Sequence, residues 1–348
     1  MKKIVCLPGD GIGQEIMSSA LEVMKVIAAK HQLELVTEEH DFGGAAIDSQ
    51  GHPLPETTLT ACQGADAILL GAIGGPKWEE AAVRPEQGLL ALRKALNLYA
   101  NIRPVTVPMA TAHLSPLKPE IVTGADFVVV RELTGGIYFG EPRELNQEDA
   151  LDTCTYTGDE IRRILRKGFE IAQGRRKLVT SVDKANVLAT SKLWRRLADE
   201  VATEFPDVTL EHHLVDSVAM KLIQEPTHFD VIVTENLFGD ILSDEASVIP
   251  GTLGILPSAS HGVGGLSLYE PIHGSAPDIA GKNIANPVSM ILSMAMMLRE
   301  SFAWEEAATE VEETCYAVMA DGVLTGDLGG KNSTSEFVAA VIKKIQAV

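Results

Sequence analysis

Cysteine is scarce and scattered in this chain: four stand in 348 residues, at Cys6, Cys62, Cys154 and Cys315, with no Cys-x-x-Cys pair. Neither a zinc ribbon nor a disulfide framework is therefore expected, and a reducing cytoplasm fits. Long apolar runs are missing too. The longest apolar helix candidate, Val288 to Leu298, is well short of the ~20 residues that span a bilayer. The apolar stretch that follows Met1-Lys2-Lys3 is too short for a secretory signal and runs straight into a glycine turn, so no membrane anchor is expected. Positive charge is in deficit, with 29 Lys and Arg against 48 Asp and Glu and a net charge of -19. Nucleic acid and acidic membranes would be repelled and are excluded as partners. Fixed-period repeats, low-complexity tracts and flexible linkers are absent, so a second domain should be inserted into the first rather than strung after it.

What is present is length enough for a large core and two domains, and a regular alternation of apolar strands with helices. Ile4 to Leu7, Leu33 to Thr37, Ala67 to Leu70, Phe127 to Val130 and Val231 to Val233 read as strands, and Gln14 to Ala29 as an amphipathic helix. The alternation predicts a mostly parallel α/β sheet. Pro8-Gly9-Asp10-Gly11-Ile12-Gly13 between the first strand and helix invites a dinucleotide fingerprint reading, but no acid closes a second strand at the expected distance. A tight turn that brings backbone close to a ligand is the safer expectation. Ligands of open α/β sheets collect at the carboxyl ends of strands, which makes Arg131, Glu235 and the turn after Leu70 candidates for one cleft. Thr134 to Thr157 reads as a hairpin standing off the body, and its edges call for cover by a second chain.

Within this frame the acid-rich stretch Asn236 to Glu245 sets Asp240 and Asp244 four residues apart, on one face of a helix. Like charges so placed destabilise a helix by roughly 0.2 to 0.5 kcal/mol, unless a cation sits between them. Oxygen ligands without a thiolate favour Mg²⁺ or Mn²⁺; a solvated acidic face is the other reading. Arg93, Arg103 and Arg131 offer planar forks that would together hold a di- or tricarboxylate, although each alone reads as a surface or ion-pair residue. Global charge does not forbid this, because screening confines exposed charges to about 8 Å. Lys184 follows the apolar Leu178-Val179 at another strand end, and Asp216 supplies a third carboxylate. A lysine near arginines and a metal has its charged form disfavoured and suits a general base; the commoner fate is a surface lysine. Glu270 to Pro287 is dense in small residues and is not a long helix. Its amides can wrap a phosphate-bearing ligand, with Asp278 accepting from a ribose diol, which favours NAD over NADP. Asn286-Pro287 equally reads as a helix N-cap with proline at the first helical position.

Taken together and in this order, the Pro8-to-Gly13 turn, Arg93, Arg103, Arg131, Tyr138, Lys184, Asp216, the Asn236-to-Asp244 signature and the Glu270-to-Asn286 loop resemble the β-hydroxyacid oxidative decarboxylases, the isocitrate/isopropylmalate dehydrogenase family, over nearly the whole chain. The resemblance implies an α/β fold of two domains around a large mixed, mostly parallel sheet, with a non-Rossmann NAD site. Residues 1–99 and 251–348 would form the discontinuous NAD-binding domain. Residues 100–250 would form the inserted, dimerising one, with an arm at about 138–157. The implied function is oxidative decarboxylation of (2R,3S)-3-isopropylmalate to 4-methyl-2-oxopentanoate in leucine biosynthesis; a D-malate/tartrate or homoisocitrate substrate is the alternative. In that scheme Tyr138 and Lys184 are catalytic, Arg93, Arg103, Arg131 and Asp216 bind substrate, and Asp216, Asp240 and Asp244 bind Mg²⁺ or Mn²⁺. Glu270, His273, Gly274, Ser275, Ala276, Pro277, Asp278, Ile279 and Asn286 hold NAD. A homodimer is implied in which Lys184 and Asp216 reach the partner's active site. Isocitrate relatives place Ser and Asn ahead of the first arginine, where Gln87 and Leu89 stand here, with Leu90 beside them and Glu86 just upstream. An apolar wall suits an isopropyl group, and such walls discriminate by about 1 to 3 kcal/mol per methylene.

Overall fold

The computed structural model describes residues 1–347. Among the described residues twelve strands occur in chain order: β1 (Lys2–Gly9), β2 (Leu35–Glu39), β3 (Ala67–Ala72), β4 (Leu98–Thr106), β5 (Asp126–Glu132), β6 (Glu144–Leu145), β7 (Ala150–Leu151), β8 (Leu178–Asp183), β9 (Thr209–Leu214), β10 (Val231–Thr234), β11 (Pro257–Gly262) and β12 (Ser267–Pro271). The chain divides into two compact units, one formed by Met1–Leu98 with Thr252–Val348, the other by Tyr99–Gly251. Each is α/β.

In the first unit the strands run β2-β1-β3-β12-β11, parallel except for the β11–β12 hairpin. Helix Gly13–Lys30 turns Ile16, Ala20, Val23, Met24 and Ile27 inward at helical spacing. Helix Val288–Glu300 is buried on every side from Val288 to Leu298, which explains an apolar run too short for a membrane: it is a core helix packed on β11 and β12. Among the described residues no helix is long and apolar enough to cross a bilayer.

The second unit repeats the theme with β4-β5-β10-β8-β9, again parallel except for one pair, β4–β5. Helix Gly158–Gln173 starts at a reciprocal cap. The Glu160 amide donates to Thr157 Oγ1, and the Thr157 amide donates to the Glu160 carboxylate at 2.7 Å. Gly168 lets this helix lie against β10, since a Cβ there would stand 2.2 Å from Val233 Cγ2. The expected hairpin is present as β6 and β7, antiparallel and exposed throughout.

Two local expectations move. The second strand starts two residues later than its apolar pattern suggests and does close in acid, at Glu38 and Glu39. Glu38 is engaged by Lys3 at 2.7 Å and His40 at 2.7 Å. The glycine turn brings backbone close to backbone: a Cβ on Gly9 would stand 2.1 Å from the Ala72 carbonyl oxygen, and one on Gly11 2.1 Å from that of Ser275. Asp10 fills the hollow that results, accepting from the amides of Gly44, Ala45 and Gly74 at 2.7 to 2.8 Å. The turn's own amides at Ile12 and Gly13, which a phosphate would use in a dinucleotide fold, donate instead to the carbonyls of Ser275 at 2.8 Å and Asp10 at 2.9 Å.

Candidate active site

Helix Asn236–Val248 carries both Asp240 and Asp244, so the one-face placement holds. It lies against β5 because Gly239 has no side chain: a Cβ there would meet Arg131 Cγ at 2.6 Å. Arg131, at the end of β5 and only 5% exposed, is thereby aimed along the helix. Its Nη2 donates to Asn236 Oδ1 at 2.8 Å, and its Nη1 is in close contact with Asp240 Oδ1. The other Asp240 oxygen accepts from the Tyr138 hydroxyl at 2.8 Å. Tyr138 also lies under the Arg131 guanidinium, 5.9 Å from it. Burial, then the hydrogen bond to Asp240 and that carboxylate's charge, hold the phenol above its ordinary pKa against the pull of Arg131, so Tyr138 is a protonated donor at neutral pH.

One turn on, Arg103 makes the second pair. Its Nη1 donates to Asp244 Oδ1 at 2.9 Å and to Ser243 Oγ at 2.8 Å, while Nε donates to Asn101 Oδ1 at 2.9 Å. Two arginines, two aspartates and a tyrosine thus form one row. Asn236 opens the signature stretch that the sequence singled out, but its part in aiming Arg131, and that of Ser243 and Asn101 in aiming Arg103, were not read from the sequence.

Lys184 directly follows β8 and pairs with Asp216 Oδ1 at 2.6 Å. Its neighbour Asp183 is tied bidentately to Arg195 at 2.9 Å. The expected environment for Lys184, arginines and a metal, is not what the single chain provides: its partner is a carboxylate. That contact holds the Asp216 carboxyl below its usual range. Among the described residues, Asp216 does not join Asp240 and Asp244 in a three-ligand group within one chain. Glu235, placed by sequence at the ligand cleft, is instead buried among Tyr156, Val182 and Trp194. There burial, with the Glu132 charge adding to it, pushes its carboxyl up to about 7, against a Phe238 amide and the Tyr156 hydroxyl.

In the first unit, Arg93 donates to Glu270 Oε1 at 2.9 Å, and its Nε is buried without a partner. Glu86, Leu90 and Arg93 follow one another along one face of helix Pro85–Ala95. Leu90 is 43% exposed, whereas Leu89 leans into the core of Leu92, Leu96 and Leu98. Of the two wall leucines, Leu90 is the one that faces out.

The loop after β12 borders a cavity of about 550 Å³ lined by Ile12, Leu253, Gly254, His273, Gly274, Ala276, Ile279, Ile284 and Asn286, with Asp327 at its side. His273 Nδ1 faces the Gly274 carbonyl at 3.0 Å, and its Nε2 is buried with no partner. Burial lowers its pKa, so the ring is a neutral imidazole with one unused polar atom. Apolar walls, bare glycine edges and that atom fit a heteroaromatic ring with a ribose. Asp278 and Pro277 are exposed. Ser275 and Asn286 are already occupied: Ser275 Oγ donates to the Gly74 carbonyl at 2.7 Å, and Asn286 bridges Asp327 and the Val288 amide. Asn286 therefore caps helix Val288–Glu300 by chemistry, although Pro287 takes the cap position, one residue later than the sequence suggests.

The isocitrate/isopropylmalate dehydrogenase family model matches residues 3–341. A 3-isopropylmalate dehydrogenase of Streptococcus thermophilus is 64% identical over 344 residues, covering 99% of both chains. One of Listeria innocua is 63% identical, covering 99% of this chain and 98% of its own. The crystal structure of isocitrate dehydrogenase from Methylococcus capsulatus superposes with a TM-score of 0.89 at 35% identity, covering 99% of this chain and all of that one.

Proposed function

Because the chain belongs to the isocitrate/isopropylmalate dehydrogenase family, we propose that it oxidises and decarboxylates (2R,3S)-3-isopropylmalate to 4-methyl-2-oxopentanoate in leucine biosynthesis, with NAD as the oxidant. It works in the cytoplasm, where its free cysteines stay reduced. The substrate rests on end-to-end identity above 60% with relatives of that name. The chemistry rests on one observation, the row Arg103–Asp244 and Arg131–Asp240–Tyr138.

Every group in that row is paired to another, and the pairings are of a kind that ligands exchange. A substrate carboxylate offers each arginine the same bidentate partner that an aspartate gives it now. The aspartates so released are all-oxygen donors, matching Mg²⁺ or Mn²⁺. Bound by Asp240, Asp244 and Asp216 of the partner subunit, such an ion supplies Lewis-acid stabilisation of negative charge on the reacting oxygens. Arg93, Arg103 and Arg131 hold the two carboxylates, and Leu90 gives the isopropyl group its apolar wall. NAD, when bound, would supply the hydride acceptor for C2; Lys184 of the partner subunit would take the proton of the C2 hydroxyl, and the β-keto acid so formed would lose carbon dioxide. Tyr138, kept protonated by its surroundings, delivers the proton to C3.

His273, Gly274, Ala276 and Ile279 seat NAD, and Asp278 accepts from its ribose diol. The dimer is supported by apolar residues that the single chain leaves bare: Met220 and Ile223 on helix Val215–Gln224, and Ile241 and Val248 on the packed helix Asn236–Val248. Covering that face in a homodimer would also give Asp216, on the first of these helices, a second chain to serve. The testing assay is NADH formation on a panel of malates with 3-substituents of increasing size, with and without chelator. The 3-isopropyl compound should turn over fastest and chelator should stop it; preference for unsubstituted malate, or indifference to chelator, would overturn the reading.

A further inference from the structure

On the outer strand of the second unit, β9, Glu211 and His213 share one face, since they stand two residues apart. His212, between them, turns to the other side and pairs with Asp199 at 2.9 Å. The short turn Pro226–His228 brings a third group to the first face. His228 Nε2 stands 2.9 Å from Glu211 Oε1, and His213 Nε2 3.5 Å from the same oxygen. All three donor atoms lie within 4.8 Å of one another. Ligands about 2.0 to 2.1 Å from a tetrahedral zinc ion stand about 3.3 Å apart, so the group needs shifts of well under a side-chain rotamer to close on one ion.

One further feature is that of a metal site more than of a surface ion pair. The Thr180 hydroxyl donates at 2.6 Å to Glu211 Oε1, the oxygen that both imidazoles face, and so fixes the carboxylate's orientation as an outer-shell partner does. The three side chains are 21 to 37% exposed, which leaves an open position for water and a path of entry.

We propose that Glu211, His213 and His228 form a second metal site, selective for a borderline-soft divalent ion such as Zn²⁺ or Co²⁺ and separate from the all-aspartate site. Two imidazoles and one carboxylate suit those ions, whereas Mg²⁺ and Mn²⁺ prefer oxygen ligands and six-coordination. An ion there ties the outer strand to the turn that leads into β10, and neither Lys184 nor the Asp240 row contributes to it.

The test uses the full-length protein, stripped of metal and then saturated with Mg²⁺ to occupy the oxygen-ligand sites, and titrated with Co²⁺ and Zn²⁺. One Co²⁺ per chain should bind, with the strong visible absorption of four-coordinate cobalt, and one Zn²⁺ should displace it. His213→Gln and His228→Gln should each weaken Zn²⁺ binding at least 10-fold, and the double substitution should remove the visible band, while Asp244→Asn should leave it in place. An unchanged band or affinity in the double variant would overturn the proposal. Should that variant fail to fold, Cu²⁺ bound to the wild-type chain decides: electron paramagnetic resonance showing nitrogen coupling from two imidazoles supports the site, and its absence sinks it.

Discussion

Asp10, directly after β1, and Asp244, in the helix that follows β10, are both aspartates, and they could hardly be in more different situations. Asp10 is 5% exposed and spends its oxygens on three backbone amides of its own unit. Asp244 has a side chain 66% exposed and meets an arginine. The first carboxylate is finished: its partners cannot leave without undoing the turns at Gly44 and Gly74. The second is held by one arginine, itself anchored on Asn101 and Ser243, whose fork another carboxylate can take over. On the proposed function closed acids build the fold and open acids bind, so the two kinds should answer substitution differently, in stability for one and in turnover for the other.

The largest effects should come from the open groups. Lys184→Met removes the proposed base and should lower kcat for NADH formation by about 10³- to 10⁴-fold. Asp244→Asn should lower it by about 10²- to 10³-fold and raise the metal concentration needed for half-maximal rate. Neither should move the urea unfolding free energy by more than about 0.5 kcal/mol, since exposed pairs contribute little. Tyr138→Phe separates the half-reactions: proton delivery to C3 should slow while oxidation of C2 persists, whereas Lys184→Met should stop oxidation itself. Equal loss of both partial reactions in both variants would mean the roles are misassigned.

Asp10→Ala is the converse. It leaves three amides without an acceptor, two of them buried, and should cost about 3 kcal/mol in urea unfolding, while the folded fraction keeps its kcat. A stable Asp10→Ala protein with lost activity would break the distinction between closed and open acids.

That distinction was only partly legible in the sequence. The strand ends, the helical spacing of Asp240 and Asp244, and the exposed hairpin came through because each depends on a local period of two or 3.6 residues. The duty of each acid did not, because it is set by partners 34 to 64 residues away, as for Asp10. Glu235 shows the same limit: it ends an apolar strand as a ligand residue would, yet the fold turns it inward to Tyr156. The three-ligand group at Glu211, His213 and His228 was invisible for a further reason. Two of its members sit in a strand whose alternation reads as ordinary half-burial, and the third lies in a turn with no period at all.

Glu235 provides a pH-dependent version of the comparison, with a smaller expected effect. Its carboxyl, ordinarily near 4.5, is pushed up to about 7 in the folded chain. A raised acid contributes its full stability below its unfolded pKa and loses it as pH rises through the folded value, because the unfolded chain ionises first. Unfolding free energy should therefore fall by roughly 2 kcal/mol between pH 5 and pH 8. Glu235→Gln, neutral at every pH, should flatten that part of the profile. An unchanged slope would place the titration elsewhere.

The smallest effect tests an open acid of the other unit. Asp278 is exposed beside a cavity whose walls are apolar, so it can greet a neutral diol but repels a phosphate in the same place. Asp278→Lys with Ile279→Tyr reverses that charge and supplies a ring for the nucleotide to lie against. The ratio of kcat/KM for NAD over NADP should fall by at least about 10-fold, equivalent to about 1.4 kcal/mol, with the urea midpoint unchanged. Because the substitution adds charge at an exposed position and removes no buried contact of Asp278, a shift in cofactor preference without a shift in stability is what an open acid requires. A stability loss with unchanged preference would move Asp278 into the company of Asp10.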